Sequence, residues 1–506
     1  MLQHKQKTWA IHVIPAIVAS AVLMAAVFAG CFSSPSTPSS SELPYDKDAD
    51  ADQLWALVQK YHREQQLEER LLTLDRLLEL DPSHAEAISL RAVIQHVRYL
   101  DEKSPEKKYQ GLHASCNILL DGLKHNPDDE DLLTSLEMYL GRSIDEDGLR
   151  DYFARDAELQ SRLERWTRGR DVHDPREKVN NWLVVREIRR ARAARIGTGP
   201  VSDHREFEAL CGVAHASRDY AASLAKDGHS DDHVLQAWRE AEREFEAFEQ
   251  QEFRIESQSV DGVLSRLEMS GVGTEGLQPL LEEHIGRTLR PSDLARLKRE
   301  NEQRWERLEE FHPGLRSLLR DSIRQRLRTP YRQALSTPPE QRTFLERQMA
   351  EAAKLRLSLL AEDLAAAFRG KRTTKEIENI IQNMRTAERE MAVVDALRNV
   401  VNMDAAKDRC TVEQRPEILA ARRRIYKAQR LMDQGDLNRQ DRQAVAALFD
   451  EAFTTYERAT RDNTKLLAEY AGEFRREFLQ FREEIQAGEP PAHSSIGLFY
   501  QALYPN

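Results

Sequence analysis

Residues 71–87 of this 506-residue chain read LLTLDRLLELDPSHAEA. Leu71, Leu74 and Leu77 are three residues apart, which places their side chains on one face of a helix. Pro82 cannot continue that helix, and the polar side chains beside it can bond backbone groups freed at the helix end. The stretch therefore predicts a helix, a tight turn and the start of a second helix, the pattern of a tetratricopeptide repeat.

A second stretch of this form lies at residues 118–127, which read ILLDGLKHNP. Pro82 and Pro127 are farther apart than the repeat length of about 34 residues, so we expect an insertion between Leu100 and Gln110. Two to three such hairpins are predicted, and about three are needed for a stable stacked array.

The composition favours helices throughout. Charged residues make up 31 % of the chain, whereas the whole chain has only 21 Gly and 19 Pro. Such a mixture predicts an all-α protein, with tetratricopeptide-like hairpins followed by a bundle of long helices. The net charge of -11 argues against a nucleic acid partner and against general affinity for anionic lipid.

The N-terminus has the features of a membrane anchor. Lys5 and Lys7 precede an uncharged run at residues 9–30, and acidic residues follow it. About 20 apolar residues suffice to cross a bilayer, and the flanking lysines favour a cytoplasmic N-terminus. We expect a single-pass protein of the bacterial inner membrane, with its bulk in the periplasm.

Two other fates of this segment remain open. Residues 28–31 (FAGC) resemble the site at which bacterial lipoproteins are cleaved and acylated, which makes Cys31 a lipidation candidate. Simple secretion after cleavage is the third possibility.

The sequence divides into six predicted segments. Residues 1–31 form the anchor or lipoprotein signal, 32–50 a disordered Ser/Pro linker, 51–200 the tetratricopeptide-like domain, 201–404 a long-helix domain, 405–486 a C-terminal helical hairpin and 487–506 a tail. Gly197, Gly199 and Pro200 mark the clearest internal boundary. A helix is predicted to start at Thr337–Pro339 and to run to about Gly370. The apolar tail from Ile496 to Tyr504 is expected to dock on the protein body or on a partner.

Several stretches together resemble a family of uncharacterised, membrane-anchored tetratricopeptide proteins of planctomycete bacteria. They are LLDGLKHNPD (119–128), NWLV (181–184), TPPEQRT (337–343), VVN (400–402), EILAARRRIYKA (417–428) and GDL (435–437). The resemblance covers about residues 70 to 485, and the region after the first hairpin departs from it at Leu90–Tyr99. It implies the fold, the topology and a scaffold role, and it supplies no catalytic residues.

Residues 271–276 (GVGTEG) match the glycine string of dinucleotide-binding proteins, and Asp293 follows at a plausible distance. Such a site requires the string between a strand and a helix, whereas residues 263–269 (VLSRLEM) have a helical pattern, so we predict an interhelical loop. His229 and His233 have the spacing of two metal ligands on a helix. The acidic residues between them favour a loop and a helix cap instead.

Other candidate chemistry is sparse. Cys116 and Cys211 are predicted to be buried thiols. The arginines at 186, 189, 190, 192 and 195 are predicted to form an exposed charged helix, with contact to an acidic protein or lipid as the alternative. We expect no catalytic, cofactor-binding or metal-binding residues.

The leading hypothesis is a membrane-tethered, extracytoplasmic scaffold that binds a peptide or helix of another envelope protein in a groove between helices. One alternative is a periplasmic enzyme or metal-binding protein that uses the central helices. The long helices of 203–400 could also form a coiled coil and produce a homo-oligomer.

Overall fold

The computed structural model describes residues 44–99, 102–145, 149–168, 181–226, 228–369, 373–433, 438–484 and 495–504. These residues are almost entirely helical, which confirms the all-α fold class. The chain forms two compact units that divide between Gly197 and Thr198. The division falls where the glycines and Pro200 mark a boundary in the sequence.

No helix in the described part of the chain is both long enough and apolar enough to cross a membrane. The anchor predicted at 1–31, with its lipidation candidate Cys31, lies outside the described residues. The end of the predicted linker packs on the first unit, because the Tyr61 hydroxyl donates to the carbonyl of Pro44 and Ala49 is buried in the core. Pro44 and Ala49, which the sequence assigns to the predicted linker, therefore contact the first unit.

In the first unit, helices that follow one another in the chain pack on one another. Its helices in the described residues are α1 (Ala51–Arg63), α2 (Leu67–Leu80), α3 (Ala85–Val97), α4 (Pro105–His125), α5 (Glu130–Asp145), α6 (Leu149–Arg155), α7 (Ala157–Arg168) and α8 (Asn181–Ile196). Helix α1 packs on α2, α3 on α4, and α4 on α5.

The turn between α2 and α3 has the chemistry that the sequence predicts. Helix α2 ends at Leu80, and Oδ1 of Asp81 accepts hydrogen bonds from the backbone N–H and the hydroxyl of Ser83 at 3.0 and 2.6 Å. The His84 ring nitrogen Nδ1 then accepts from a backbone N–H in the first turn of α3. The side chains of the turn thus bond its own backbone, as is typical of Asp and Ser in turns.

Apolar side chains at helical spacing form the core of the first helix pairs. Its buried members are Ala49, Leu54, Val58, Leu71, Leu74, Leu77, Ala87 and Ile94. Leu71, Leu74 and Leu77 thus face inward, as their spacing predicts.

Helix α8 corrects the prediction of an exposed basic helix. Arg186 is buried, and Nε of Arg189 lies 2.7 Å from Oε1 of Glu137 on α5. Arg192 bonds the other oxygen of Glu137 at 2.9 Å and Glu130 at 2.6 Å. Burial raises the pKa of Glu137, but the two arginines outweigh it and the pKa is lowered. The basic run therefore joins α8 to α5 within the first unit.

The second unit contains shorter helices than the sequence predicts. Its helices in the described residues are α9 (His204–Lys226), α10 (Asp231–Phe248), α11 (Ser257–Met269), α12 (Leu277–Glu283), α13 (Asp293–Phe311), α14 (Leu315–Arg326), α15 (Thr329–Ser336), α16 (Phe344–Arg356), α17 (Ala361–Phe368), α18 (Lys375–Val400), α19 (Met403–Glu413), α20 (Pro416–Asp433), α21 (Arg439–Ala459), α22 (Thr464–Glu473), α23 (Arg475–Glu484) and α24 (Ser495–Leu503). Two short antiparallel strands, β1 (Phe253–Arg254) and β2 (Thr288–Leu289), pair Phe253 with Leu289.

The helix predicted to start at Thr337 is divided in the structure. Pro339–Gln341 form a single 3₁₀ turn, and α16 begins only at Phe344. Thr343 caps it, since the Thr343 hydroxyl accepts from the Glu346 N–H and the Glu346 carboxylate accepts from the Thr343 N–H. The sequence contains this reciprocal Thr/Glu capping box, which is a stronger start signal than the prolines before it.

One part of the second unit is organised around α18. Trp305 and Leu308 of α13 and Leu364 of α17 pack with Ile377 and Met384 of α18 in one buried cluster. This packing fixes α13, the helix that forms one wall of the cleft described below.

The C-terminal segment docks on the second unit itself. Phe499 of α24 is buried, with its ring centroid 4.7 Å from that of Phe453 on α21. The Gln501 side chain accepts a hydrogen bond of 2.8 Å from the backbone N–H of Phe344. The segment thus connects α21 to the start of α16.

Candidate interaction site

An open cleft of about 930 Å³ lies between α13 and α14. Its lining residues are Glu302, Glu306, Glu309 and Glu310 from α13, Gly314 from the turn, and Arg316, Ser317, Arg320, Asp321 and Arg324 from α14. One wall is therefore acidic, and the other is mainly basic.

The turn at the base of the cleft is held by Glu309. Gly314 adopts a left-handed conformation with φ of 82°, which glycine reaches without the strain that a Cβ would add. Oε2 of Glu309 accepts from the Gly314 N–H at 2.8 Å, and Oε1 accepts from the Arg316 N–H at 2.6 Å. These bonds, the one from Arg316 above all, lower the pKa of Glu309. A fixed carboxylate thus caps the N-terminus of α14.

The basic wall contains both paired and unpaired guanidinium groups. Arg316 forms an ion pair with Glu302 and lies 5.4 Å from the ring centroid of Trp305. The side chains of Arg320 and Arg324 are exposed and form no hydrogen bond or ion pair with any described residue, although the charge of Arg320 contributes to the lowered pKa of Glu309. On the acidic wall, the Glu306 side chain is likewise exposed and unpaired within the described ranges. The cleft therefore presents exposed charged groups of both signs that form no ion pair with a described residue.

This arrangement is suited to binding a charged chain segment. The basic groups of such a segment would pair with Glu306, and its acidic groups would pair with Arg320 and Arg324. Pairs of this kind are exposed to water, so each contributes about 1 kcal/mol or less and is weakened by salt. Their main effects would be on orientation and on the rate of association.

A second charged cluster, in contrast, is enclosed by helices. Arg422 of α20 and Glu413 of α19 are both fully buried, and Nε of Arg422 donates to Oε2 of Glu413 at 3.1 Å. Glu473 of α22 accepts from Nη1 of Arg422 at 2.6 Å and also bonds Arg409 of α19. Burial raises the pKa of Glu473, but Arg409 and Arg422 outweigh it and lower the pKa to about 2.

Aromatic rings surround this buried cluster. The guanidinium of Arg422 lies 5.1 Å from the ring centroid of Phe474, and that of Arg409 lies 5.4 Å from the ring centroid of Tyr470. Tyr456 packs against Tyr470 with a centroid distance of 4.5 Å. Such cation–π contacts are strongest away from water. We interpret the cluster as a fixed junction of α19, α20 and α22 and not as an open site.

The glycine string at 271–276 forms the loop between α11 and α12, as predicted. Gly271 and Gly276 have φ values of 72° and 77°, and the segment before them is helical. Because no strand precedes the string, the geometry of a dinucleotide site is not formed.

The two histidines lie where a loop and a helix cap are predicted. Ser230 is the N-cap of α10, and Asp231 and Asp232 occupy its first turn. The rings of His229 and His233 are 5.1 Å apart between centroids. No group of three or more potential metal-ligating side chains occurs in the part of the chain that the structure describes.

The described cysteines are buried free thiols. They are Cys116, Cys211 and Cys410. Burial raises the pKa of Cys116 and of Cys410 to about 12, so neither thiol ionises appreciably at neutral pH.

Comparison with known proteins gives no relative: no family model, no curated protein and no solved structure matches this chain. The structure itself therefore gives the class of protein: an all-α protein of two helical units, with an open charged cleft in the second unit.

The cleft was not predicted from the sequence. A signal for it exists, since four glutamates at 302–310 are followed by Gly314 and then by an arginine-rich stretch. The buried cluster has no such signal, because Arg422 and Glu473 are far apart in the chain.

Proposed function

We propose that the protein is a membrane-tethered, extracytoplasmic helical scaffold that binds a charged segment of another envelope protein in the α13–α14 cleft. The observation that carries the proposal is that the exposed side chains of Glu306, Arg320 and Arg324 line an open cleft and form no ion pair with a described residue. Exposed charged side chains that form no ion pair are available to a binding partner.

A tetratricopeptide-like arrangement of the first unit belongs to the same proposal. The side chain of Asn126 bonds the carbonyl of Ser83, which joins the turns of successive helix pairs. Helices α3 and α5, the first helices of successive pairs, also approach each other. The ring centroids of His96 on α3 and of Tyr139 on α5 are separated by 4.9 Å. Stacking of this kind supports an array of repeated hairpins.

The tether rests on the sequence. Lys5 and Lys7, the uncharged run at 9–30 and the acidic residues after it favour a membrane-anchored protein with an exported bulk. Lipidation at Cys31 would place the same units at a membrane surface. Either anchor would confine the scaffold to two dimensions and raise the effective concentration of an envelope partner.

Site-specific photo-crosslinking of the full-length protein in its own cell envelope tests the proposal. A photoreactive residue replaces Ser317 inside the cleft, and a matched one replaces the exposed Gln236 on α10. We expect a reproducible protein adduct from position 317 and none of that mass from position 236.

Removal of the three charges in the cleft is the decisive part of this test. The triple variant Glu306→Gln/Arg320→Gln/Arg324→Gln should lose the adduct at position 317 while the protein remains folded. Persistence of the adduct in this variant, or equal adducts from both positions, would contradict binding in the cleft.

A further inference from the structure

The segment that follows the cleft carries an unusual concentration of arginine. Between Gly314 and Pro339 there are six arginines, at positions 316, 320, 324, 326, 328 and 332, and a single acidic residue, Asp321. The whole chain has a net charge of -11. Because charges in salt solution are screened beyond roughly 10 Å, the local excess of positive charge acts independently of the distant acidic residues.

The arginines at the end of this segment lack acidic partners. Among the described residues, the Arg326 side chain bonds only Ser322, and the Arg332 side chain bonds only Thr329. The Arg328 side chain forms no hydrogen bond or ion pair with any described residue. By contrast, Arg296 on the neighbouring α13 contacts three carboxylates. The three arginines of this segment thus have no acidic side chain within ion-pair distance among the described residues.

Two exposed leucines and a half-buried tyrosine lie on α14, α15 and α16. Arg356, at the end of α16, lies 5.4 Å from the ring centroid of Tyr331 on α15, which brings the two helices together at this point. The neighbouring Leu355 is 74 % exposed, and Leu318 on α14 is 70 % exposed. These are the two most exposed large apolar side chains of the described residues.

We propose that Arg326, Arg328, Arg332 and Arg356, together with Tyr331 and Leu355, form a surface that binds the anionic headgroups of a phospholipid bilayer. This set is called the arginine surface below. Guanidinium groups bind phosphate through two parallel hydrogen bonds, and basic residues near an anionic bilayer are attracted to its surface.

The apolar members favour a bilayer over an acidic protein. An isolated leucine that is almost fully exposed gains little on a polar protein surface, but it can enter the boundary between headgroups and acyl chains. Tyrosine is suited to the same depth, and arginine can extend its charged end to the phosphates while its stem stays in the apolar layer. The arginine surface combines all three groups.

Hydrogen exchange of the full-length chain in lipid nanodiscs tests this inference. One set of discs contains only phosphatidylcholine, and the other also contains phosphatidylglycerol. We expect slower amide exchange in residues 324–336 and 354–357 only in the anionic discs, with the difference removed by high salt. Equal exchange in both kinds of disc would overturn the proposal.

Matched variants separate the arginine surface from net charge. Arg326→Gln/Arg328→Gln/Arg332→Gln should abolish the protection in anionic discs. The control Arg254→Gln/Arg290→Gln/Arg389→Gln removes the same charge from exposed arginines that have acidic partners, and it should retain the protection. Loss of protection in both variants would refute a localised surface.

Two soluble probes distinguish other anion sources. Protection of the same amides by inorganic phosphate in neutral discs would indicate a phosphate site and overturn the bilayer assignment. Protection by polyglutamate but not by anionic discs would indicate an acidic protein partner and would also overturn it. The cleft residues Glu306, Arg320 and Arg324 are unchanged in these variants, so this test and the crosslinking test can fail independently.

Discussion

The side-chain amide of Asn126 donates a hydrogen bond of 2.7 Å to the carbonyl oxygen of Ser83. Ser83 lies in the turn after α2 and Asn126 caps the end of α4, so the bond joins the ends of successive helix pairs. Asn126→Asp keeps the shape but removes the donor and places a carboxylate oxygen beside the carbonyl. We expect the free energy of unfolding of the first unit to fall by about 1 kcal/mol, measured by urea denaturation.

Asn438 provides the control for this substitution. Its side-chain oxygen accepts from the backbone N–H groups of Gln440 and Asp441 at the start of α21, so an aspartate retains both bonds. Asn438→Asp should change stability by less than about 0.5 kcal/mol. Similar losses in the two variants would show that the amide donor of Asn126 is unimportant.

Arg422 is expected to be the most sensitive position of the buried cluster. Arg422→Met leaves the fully buried Glu413 without its partner, which should cost roughly 3–5 kcal/mol of unfolding free energy. Arg389→Met removes an exposed arginine that lies 3.3 Å from Glu283, and the expected loss is below about 1 kcal/mol. Chemical denaturation of the two variants measures the difference, and equal losses would contradict the assigned burial of the pair.

Glu473 should make stability depend on acid pH. Its pKa falls from an ordinary value of 4.5 to about 2 in the folded protein, because Arg409 and Arg422 favour the ionised form. A lowered carboxyl pKa stabilises the fold fully above 4.5, and that stabilisation is lost as the pH falls from there through about 2.

The measurement is the urea midpoint of the wild-type protein and of Glu473→Gln across this pH range. Wild-type stability should decline more steeply, since the glutamine has no proton to bind. Parallel curves would show that Glu473 has an ordinary pKa in the folded state.

Gly314 sets the angle of the cleft through its left-handed backbone. A Cβ there would meet no other atom within 4 Å, so the cost of Gly314→Ala comes from φ of 82° and not from crowding. We expect a loss of about 1 kcal/mol in thermal or chemical denaturation. Gly199 is the control, because a Cβ there would also meet no atom within 4 Å and its backbone is not left-handed. Gly199→Ala should therefore be neutral or slightly stabilising. A neutral Gly314→Ala would refute the conformational requirement.

Helical periodicity and local turn chemistry account for the parts of the fold that the sequence predicts. Residues 71–87 contain both the inward-facing leucines and the side chains that fix the turn, so their structure depends mainly on neighbours in the chain. The sequence prediction places the start of α16 too early, because two start signals occur close together there. The prolines after Thr337 permit a helix start, but the reciprocal bonds of Thr343 and Glu346 determine it.

Ion pairs over long sequence separations explain what the sequence did not reveal. Arg186 and Arg189 belong to a run that is polar enough to predict exposure, yet Glu137 on another helix neutralises part of it. The burial of Arg422 likewise depends on Glu473, which comes 51 residues later. A charge pattern along one helix cannot identify a partner on another, so the exposure of charged helices is the weakest inference from sequence.

The docking of α24 has a consequence for biosynthesis. Phe499 packs on Phe453, and Gln501 bonds the backbone of Phe344. The ribosome must therefore add more than 150 residues after Phe344 before these contacts can form. Until then the rings of Phe453 and Phe478 lack a covering helix, and a nascent chain stalled before α24 would expose them to chaperones or proteases.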